Sequence, residues 1–125
     1  MAKDAPKDVR RGLRFSILIR QIRVESGSEV FFGYASNISI GGMYVQTINP
    51  KPPGFEVTVR FNLPKDDAPL ECLSAVVWSQ EYDSVKCRKP GMGLRFLNIT
   101  EADRERITAF LEKQVYDRNL DIVQT

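Results

Sequence analysis

Residues 55–63 alternate without a break. Phe55, Val57, Val59, Phe61 and Leu63 are apolar, while Glu56, Thr58, Arg60 and Asn62 between them are polar. Successive side chains on a strand point to opposite faces, so the pattern predicts a strand with one buried and one wet face. Such a strand needs neighbours that cover its apolar side and pair its edges. Phe15, Ile17 and Ile19 alternate likewise, and the phase then slips to Ile22 and Val24. An extra residue near Arg20-Gln21, a β-bulge, accounts for the slip.

Further strands are predicted over 29–37, 42–48, 69–79 and 92–98. They are separated by the turn-forming stretches Ser26-Gly27-Ser28, Pro50-Lys51-Pro52-Pro53-Gly54, Pro64-Lys65-Asp66-Asp67 and Lys89-Pro90-Gly91. The expected fold is therefore all-β, a six-stranded antiparallel barrel that leaves no free edge. An open sandwich is also compatible with the alternation. Beyond the strands, Thr100 is placed to cap a helix, with Glu101 and Asp103 in its first turn. Ile107, Phe110, Leu111 and Val115 then recur at helical spacing, as a core-facing stripe does. A C-terminal α-helix covering one end of the barrel is the expectation. The domain reading is a flexible polar leader over 1–9, a barrel plus helix over 10–115, and a tail over 116–125 whose pattern fades.

A chain of 125 residues can bury one core, and 42% hydrophobic residues argue for a compact one. No apolar run approaches the ~20 residues of a membrane helix, and the first residues have no secretory pattern. The reading is cytoplasmic, with no membrane insertion. Cys72 and Cys87 are then expected as reduced packing or surface residues. Histidine is absent, which removes the commonest general base and the commonest zinc ligand. No nucleophile motif or phosphate loop appears, so neither an enzyme nor a cofactor is expected.

Charge is unevenly spread. Residues 1–23 carry seven cations against two acids, a net of +5, and the remainder carries eleven against fourteen, a net of −3. The basic end suits a small anion, and the rest would hold a long nucleic acid poorly. Two segments sharpen this. Arg10-Arg11-Gly12-Leu13-Arg14 groups three guanidiniums, whose paired donors match a phosphate or the O6/N7 edge of guanine. Asn37-Ile38-Ser39-Ile40-Gly41-Gly42 groups a carboxamide, a hydroxyl and two glycines in a turn that can read the opposite edge. Alone, the first would be a solvated leader and the second a polar turn. Together they point to an anionic guanine nucleotide.

The order Arg10-x-x-x-Arg14, then Asn37-x-Ser39-x-x-Gly42, resembles the paired motifs of PilZ domains. The strand with Val76-Val77-Trp78, the strand Gly91-Met92-Gly93-Leu94-Arg95-Phe96 and the closing helix also resemble that family. The resemblance spans about residues 9–115. It implies a bacterial receptor for cyclic di-GMP, a second messenger, in which Arg10 and Arg14 grip guanine edges and phosphates. Asn37 and Ser39 would meet a guanine from the barrel surface, and Gly42 ends the motif where a side chain would crowd turn or ligand.

Several further positions carry expectations. Arg11 is an extra cation, Gly41 serves the backbone, and Tyr44 could line the site. Asn37 stands where aspartate is common, so the guanine would be held without a carboxylate charge. In the family it resembles, the residue ahead of the first arginine influences how many nucleotides are bound, and Val9, small and apolar there, implies one nucleotide per domain over a stacked pair. Trp78 is read as core or barrel rim, and Arg95 as solvent-facing. The mechanism implied is an arm ordered by ligand, presenting a new surface to a downstream protein in motility or exopolysaccharide regulation. Two alternatives are a PilZ-type interaction module that binds no nucleotide and, more remotely, a small barrel for RNA or single-stranded DNA.

Overall fold

The computed structural model describes residues 15–124. Its strands are β1 (Phe15–Ser26), β2 (Glu29–Ser39), β3 (Gly42–Gln46), β4 (Glu56–Phe61), β5 (Leu70–Gln80) and β6 (Gly91–Phe96), followed by helix α1 (Glu101–Gln124). The strands close into a barrel in the order β1-β2-β3-β6-β5-β4, every neighbouring pair antiparallel. Closure resolves the choice between barrel and sandwich, and it leaves no unpaired edge.

The alternation seen in the sequence becomes the wall of the core. Val57, Val59 and Phe61 point inward with Ile22, Val24 and Val45, all at most 2% exposed. Phe55 departs from the expectation. Pairing of β4 begins at Glu56 opposite Ala75, and the turn before it, with Gly54 at φ 98°, leaves Phe55 46% exposed outside the strand. The β1–β2 hairpin turns through Gly27 and Ser28, with Gly27 at φ 62°, the sign that a type II′ hairpin requires at its first central residue.

Register shifts interrupt three of the ladders. In β1 the pairing slips on either side of Ile19, and Gln21 adopts φ 55°, so the bulge read from the phase change is present. Further shifts lie between Ala35 and Asn37 in β2 and between Val76 and Trp78 in β5. Each inserted residue inverts the alternation that follows it.

Thr100 caps α1, its hydroxyl accepting from the Asp103 amide at 3.1 Å. Ile107 and Leu111 are buried in the barrel core, with Phe110 and Val115 packed against it. The helix thus closes the end of the barrel where β1 starts and β2 ends. Arg106 fastens it there, reaching Asp66 at 2.8 Å, Asp103 at 3.1 Å and the Ala68 carbonyl. The helical backbone continues through residues 116–124, a stretch the fading pattern left undecided. Cys72 is buried and Cys87 exposed, and neither is in a disulfide.

Candidate functional site

The second motif forms the β2–β3 hairpin. Ser39 pairs with Gly42 across the two-residue turn Ile40-Gly41. The Ser39 hydroxyl, 3% exposed, donates to the Gly42 carbonyl at 3.3 Å, and the Phe96 amide donates to the Gly41 carbonyl at 2.8 Å. The turn is therefore pinned from inside the hairpin and from β6. Gly42 has a packing reason to be glycine, because a Cβ there would run into the Leu94 carbonyl of the paired strand. Gly41 is exposed, with open space around it.

Asn37 lies in a cross-strand row. Ser16 in β1 is its partner on one side, and Tyr44 in β3 on the other. Tyr44 pairs with Gly93 in β6, and Gly93 pairs with Trp78 in β5. The row thus crosses five strands, and at about 4.8 Å per strand spacing it is roughly 19 Å long. Asn37, Met43, Tyr44, Val77, Trp78 and Gly93 line a surface hollow of about 340 Å³ along it.

Two bulges make this row polar and aromatic on its outer side. Ala35 is buried, so strict alternation would also turn Asn37 inward; the shift beside Ser36 turns it to the surface and Ile38 to the core. Val76 is buried, so the same rule would bury Trp78; the shift at Val77 leaves Val77 and Trp78 about half exposed. Trp78 therefore belongs to the barrel's outer rim, the second of the two places expected for it.

Tyr44 and Trp78 stack with ring centroids 5.1 Å apart and planes 12° from parallel. Their bed is β6, whose outward positions beneath the two rings are Gly91 and Gly93. A Cβ on Gly93 would sit 2.5 Å from the indole Nε1, and one on Gly91 would strike the Tyr44 ring. Partial burial pushes the Tyr44 phenol above its ordinary pKa, with Tyr34 adding to the shift, so it stays a neutral hydrogen-bonding group at physiological pH.

The structure brings Asn37, Ser39, Gly41, Gly42 and Tyr44 to one hairpin. Val9, Arg10, Arg11 and Arg14 lie outside the described residues. Trp78 as a site residue was missed by sequence reasoning, because the bulge that exposes it leaves no mark in the alternation. The adjacent valines at 76 and 77 were the available hint.

The PilZ domain model matches residues 8–113. The chain belongs to the PilZ domain family. PilZ domains are cyclic di-GMP-binding and adaptor modules, not enzymes. Solved structures with the same fold include the inhibitor of motility MotI/DgrA of Bacillus subtilis, at 20% identity and a TM-score of 0.72 over 85% of this chain and 51% of that one. The PilZ domain of YcgR from Escherichia coli, solved with c-di-GMP, matches at 14% identity and a TM-score of 0.66 over 93% of this chain and 98% of that one. The PlzA protein of Borreliella burgdorferi, in complex with c-di-GMP, matches at 14% and 0.58 over 88% of this chain and 54% of that one. This PilZ domain thus spans about half the length of two of these proteins. A search of the curated proteins finds no match. Among the described residues, no helix is long and apolar enough to cross a membrane.

Proposed function

We propose that this PilZ domain is a bacterial receptor for cyclic di-GMP that couples the bound nucleotide to a protein partner. The observation that carries the reading is the register of β1 on β2. Phe15 pairs with Ile38 and Ser16 with Asn37, so the chain carrying Arg14 joins the barrel beside the second motif. Arg10 is five residues from Phe15, a tether of at most about 18 Å, comparable to the whole row from Ser16 to Trp78.

Cyclic di-GMP presents two phosphate charges and two guanines. Arg10 and Arg14 supply charge-assisted bidentate donors for either part, with Arg11 a further cation. Asn37 offers a carbonyl to guanine N–H groups. Ser39 holds the turn, and its oxygen keeps lone pairs that accept from the same edge. Gly42 contributes by letting β3 and β6 approach, and Gly41 leaves the turn unobstructed. Tyr44 and Trp78 give a purine an aromatic face beside Asn37. The arm then orders over the nucleotide, its entropic cost offset by the new bonds, and the covered face is what a partner reads. Val9 favours one nucleotide per domain, and the setting is the cytoplasm.

Calorimetric titration with cyclic di-GMP, with GTP and cyclic di-AMP as controls, tests the assignment. Binding at a stoichiometry near one, with shifts in the amide resonances of residues 8–16, is expected. Folded protein that ignores cyclic di-GMP at high micromolar concentration would overturn it and leave an interaction module without nucleotide.

A further inference from the structure

A second surface lies on the outer side of the β1–β2 hairpin. Val30, Phe32 and Tyr34 alternate along β2 and are 44%, 59% and 38% exposed. They face outward because Gly33 between them faces in, where a Cβ would meet Val45 and the Gln46 carbonyl. Three consecutive outward apolar positions on one strand are unusual for a wet barrel face, which otherwise carries polar side chains. Arg20, Gln21, Phe32, Gly33 and Tyr34 line a hollow of about 550 Å³ there. Its far wall is the β1 bulge, which turns both Arg20 and Gln21 to solvent and holds Gln21 at φ 55°. A non-glycine residue in that region costs about 1–2 kcal/mol, and bulges commonly re-aim side chains at working surfaces.

The one charge lining the hollow is Arg20, and the charges beyond it are arginines with glutamates beside them. Arg23 stands opposite Phe32 and is engaged by Glu25 at 2.5 Å. Arg60 stands beside Arg23 on β4, and Glu71, opposite it on β5, closes no ion pair with it. Arg20 has no acidic partner among the described residues. A second copy docked through the same face about a twofold axis would bring arginines against arginines. A long polyanion is opposed by the net −3 of the chain beyond residue 23. The complement is an acidic protein segment with one bulky apolar side chain.

We propose that the Val30-Phe32-Tyr34 stripe, with its hollow rimmed by Arg20, docks an acidic segment of a partner protein carrying an aromatic or aliphatic anchor. The anchor fills the hollow and carboxylates meet Arg20 and Arg60, the pairing of apolar core and charged rim found at interfaces. The inference rests on the adaptor reading for its role but not on nucleotide binding for its chemistry. The two surfaces adjoin: Tyr34 and Asn37 share β2, and their β3 partners Gln46 and Tyr44 are two residues apart.

The test pans a displayed library of random dodecapeptides on the full chain, with and without cyclic di-GMP. Enrichment of peptides combining Asp or Glu with Phe, Trp, Leu or Ile is expected. A selected peptide should bind about tenfold or more weaker to Phe32→Ser and to Arg20→Glu, and equally well to Val85→Ser on the β5–β6 loop, which does not line the hollow. Resonance shifts should fall on residues 20–21 and 30–34. Basic or purely polar peptides, indifference to both variants, or shifts elsewhere would overturn the proposal. So would dimerisation of the wild type that Phe32→Ser abolishes, or an oligonucleotide holding the same residues more tightly than any peptide. Calorimetry with cyclic di-GMP on the same proteins keeps the readings separate: a wild type that binds peptide but not nucleotide sinks only the receptor.

Discussion

Tyr44 and Trp78 stack at 5.1 Å across a strand that puts no side chain between them. They come from β3 and β5, and β6 runs beneath with Gly91 and Gly93 outward. Two aromatics on non-adjacent strands can meet only because the strand between them is bare. The stack in turn covers backbone that the glycines would leave to water. It ends the row that begins at Ser16 and Asn37, so it bounds the proposed nucleotide site on the side away from β1.

The stack should contribute directly to binding. Trp78→Ala and Tyr44→Ala are each expected to weaken cyclic di-GMP by about 1–3 kcal/mol, the worth of a base stacked on an aromatic. Neither should unfold the barrel, because both rings lie on its outer side. Trp78 is the only tryptophan in the sequence, so its fluorescence should change on titration with nucleotide. An unchanged spectrum at saturation, established by calorimetry, would place the ligand elsewhere.

Glycines 42 and 93 should fail in different ways. Gly42→Ala forces a methyl against the Leu94 carbonyl, a backbone atom that cannot turn away, and should destabilise by about 1–3 kcal/mol in urea unfolding. Gly93→Ala meets the Trp78 side chain instead, which can swing outward. Its stability should fall less, while nucleotide affinity drops with the loss of the stack.

The arm should matter for affinity and not for folding. Arg10→Ala and Arg14→Ala are each expected to lose about 1–3 kcal/mol of binding if they read a guanine edge. Arg11→Ala should lose less. All three should melt with the wild type in circular dichroism, and raising the salt concentration should weaken wild-type binding more than that of the variants.

The helix clasp predicts a pH dependence. Hydrogen bonding from the Arg106 guanidinium, with help from the Ala68 amide, holds the Asp66 carboxyl below its ordinary pKa. A lowered carboxylate value stabilises the fold above the unfolded pKa, and the contribution is lost as pH falls through the folded one. Asp66→Asn should therefore be slightly less stable than wild type at neutral pH, and the gap should close in strong acid. The pair is exposed, so the gap is small. A gap that persists in acid would mean that the substitution acts through something other than charge.

The strands were legible because their alternation is nearly unbroken. β2 to β6 lie within two residues of their predicted bounds at each end, and the β1 bulge could be placed from its phase slip. The helix was legible from Thr100 and the Ile107-Leu111 stripe. The other two bulges were not. Ser36-Asn37 and Val77-Trp78 keep a plausible alternation in either register, so only the pairing shows which side chains leave the core. Phe55 misled for the opposite reason, continuing an alternation past the point where the ladder begins.

The sequence by itself determined that six half-buried strands must pack around one core, because each carries an apolar face that only its neighbours can cover; that they close into a barrel was decided by their pairing. It also set the two polar motifs in order along the chain. The surface on which the second motif sits was decided by tertiary structure alone. Register is a property of strand pairs, and it is register that sets Ser16 beside Asn37, Tyr44 over Gly93, and Trp78 outside the barrel.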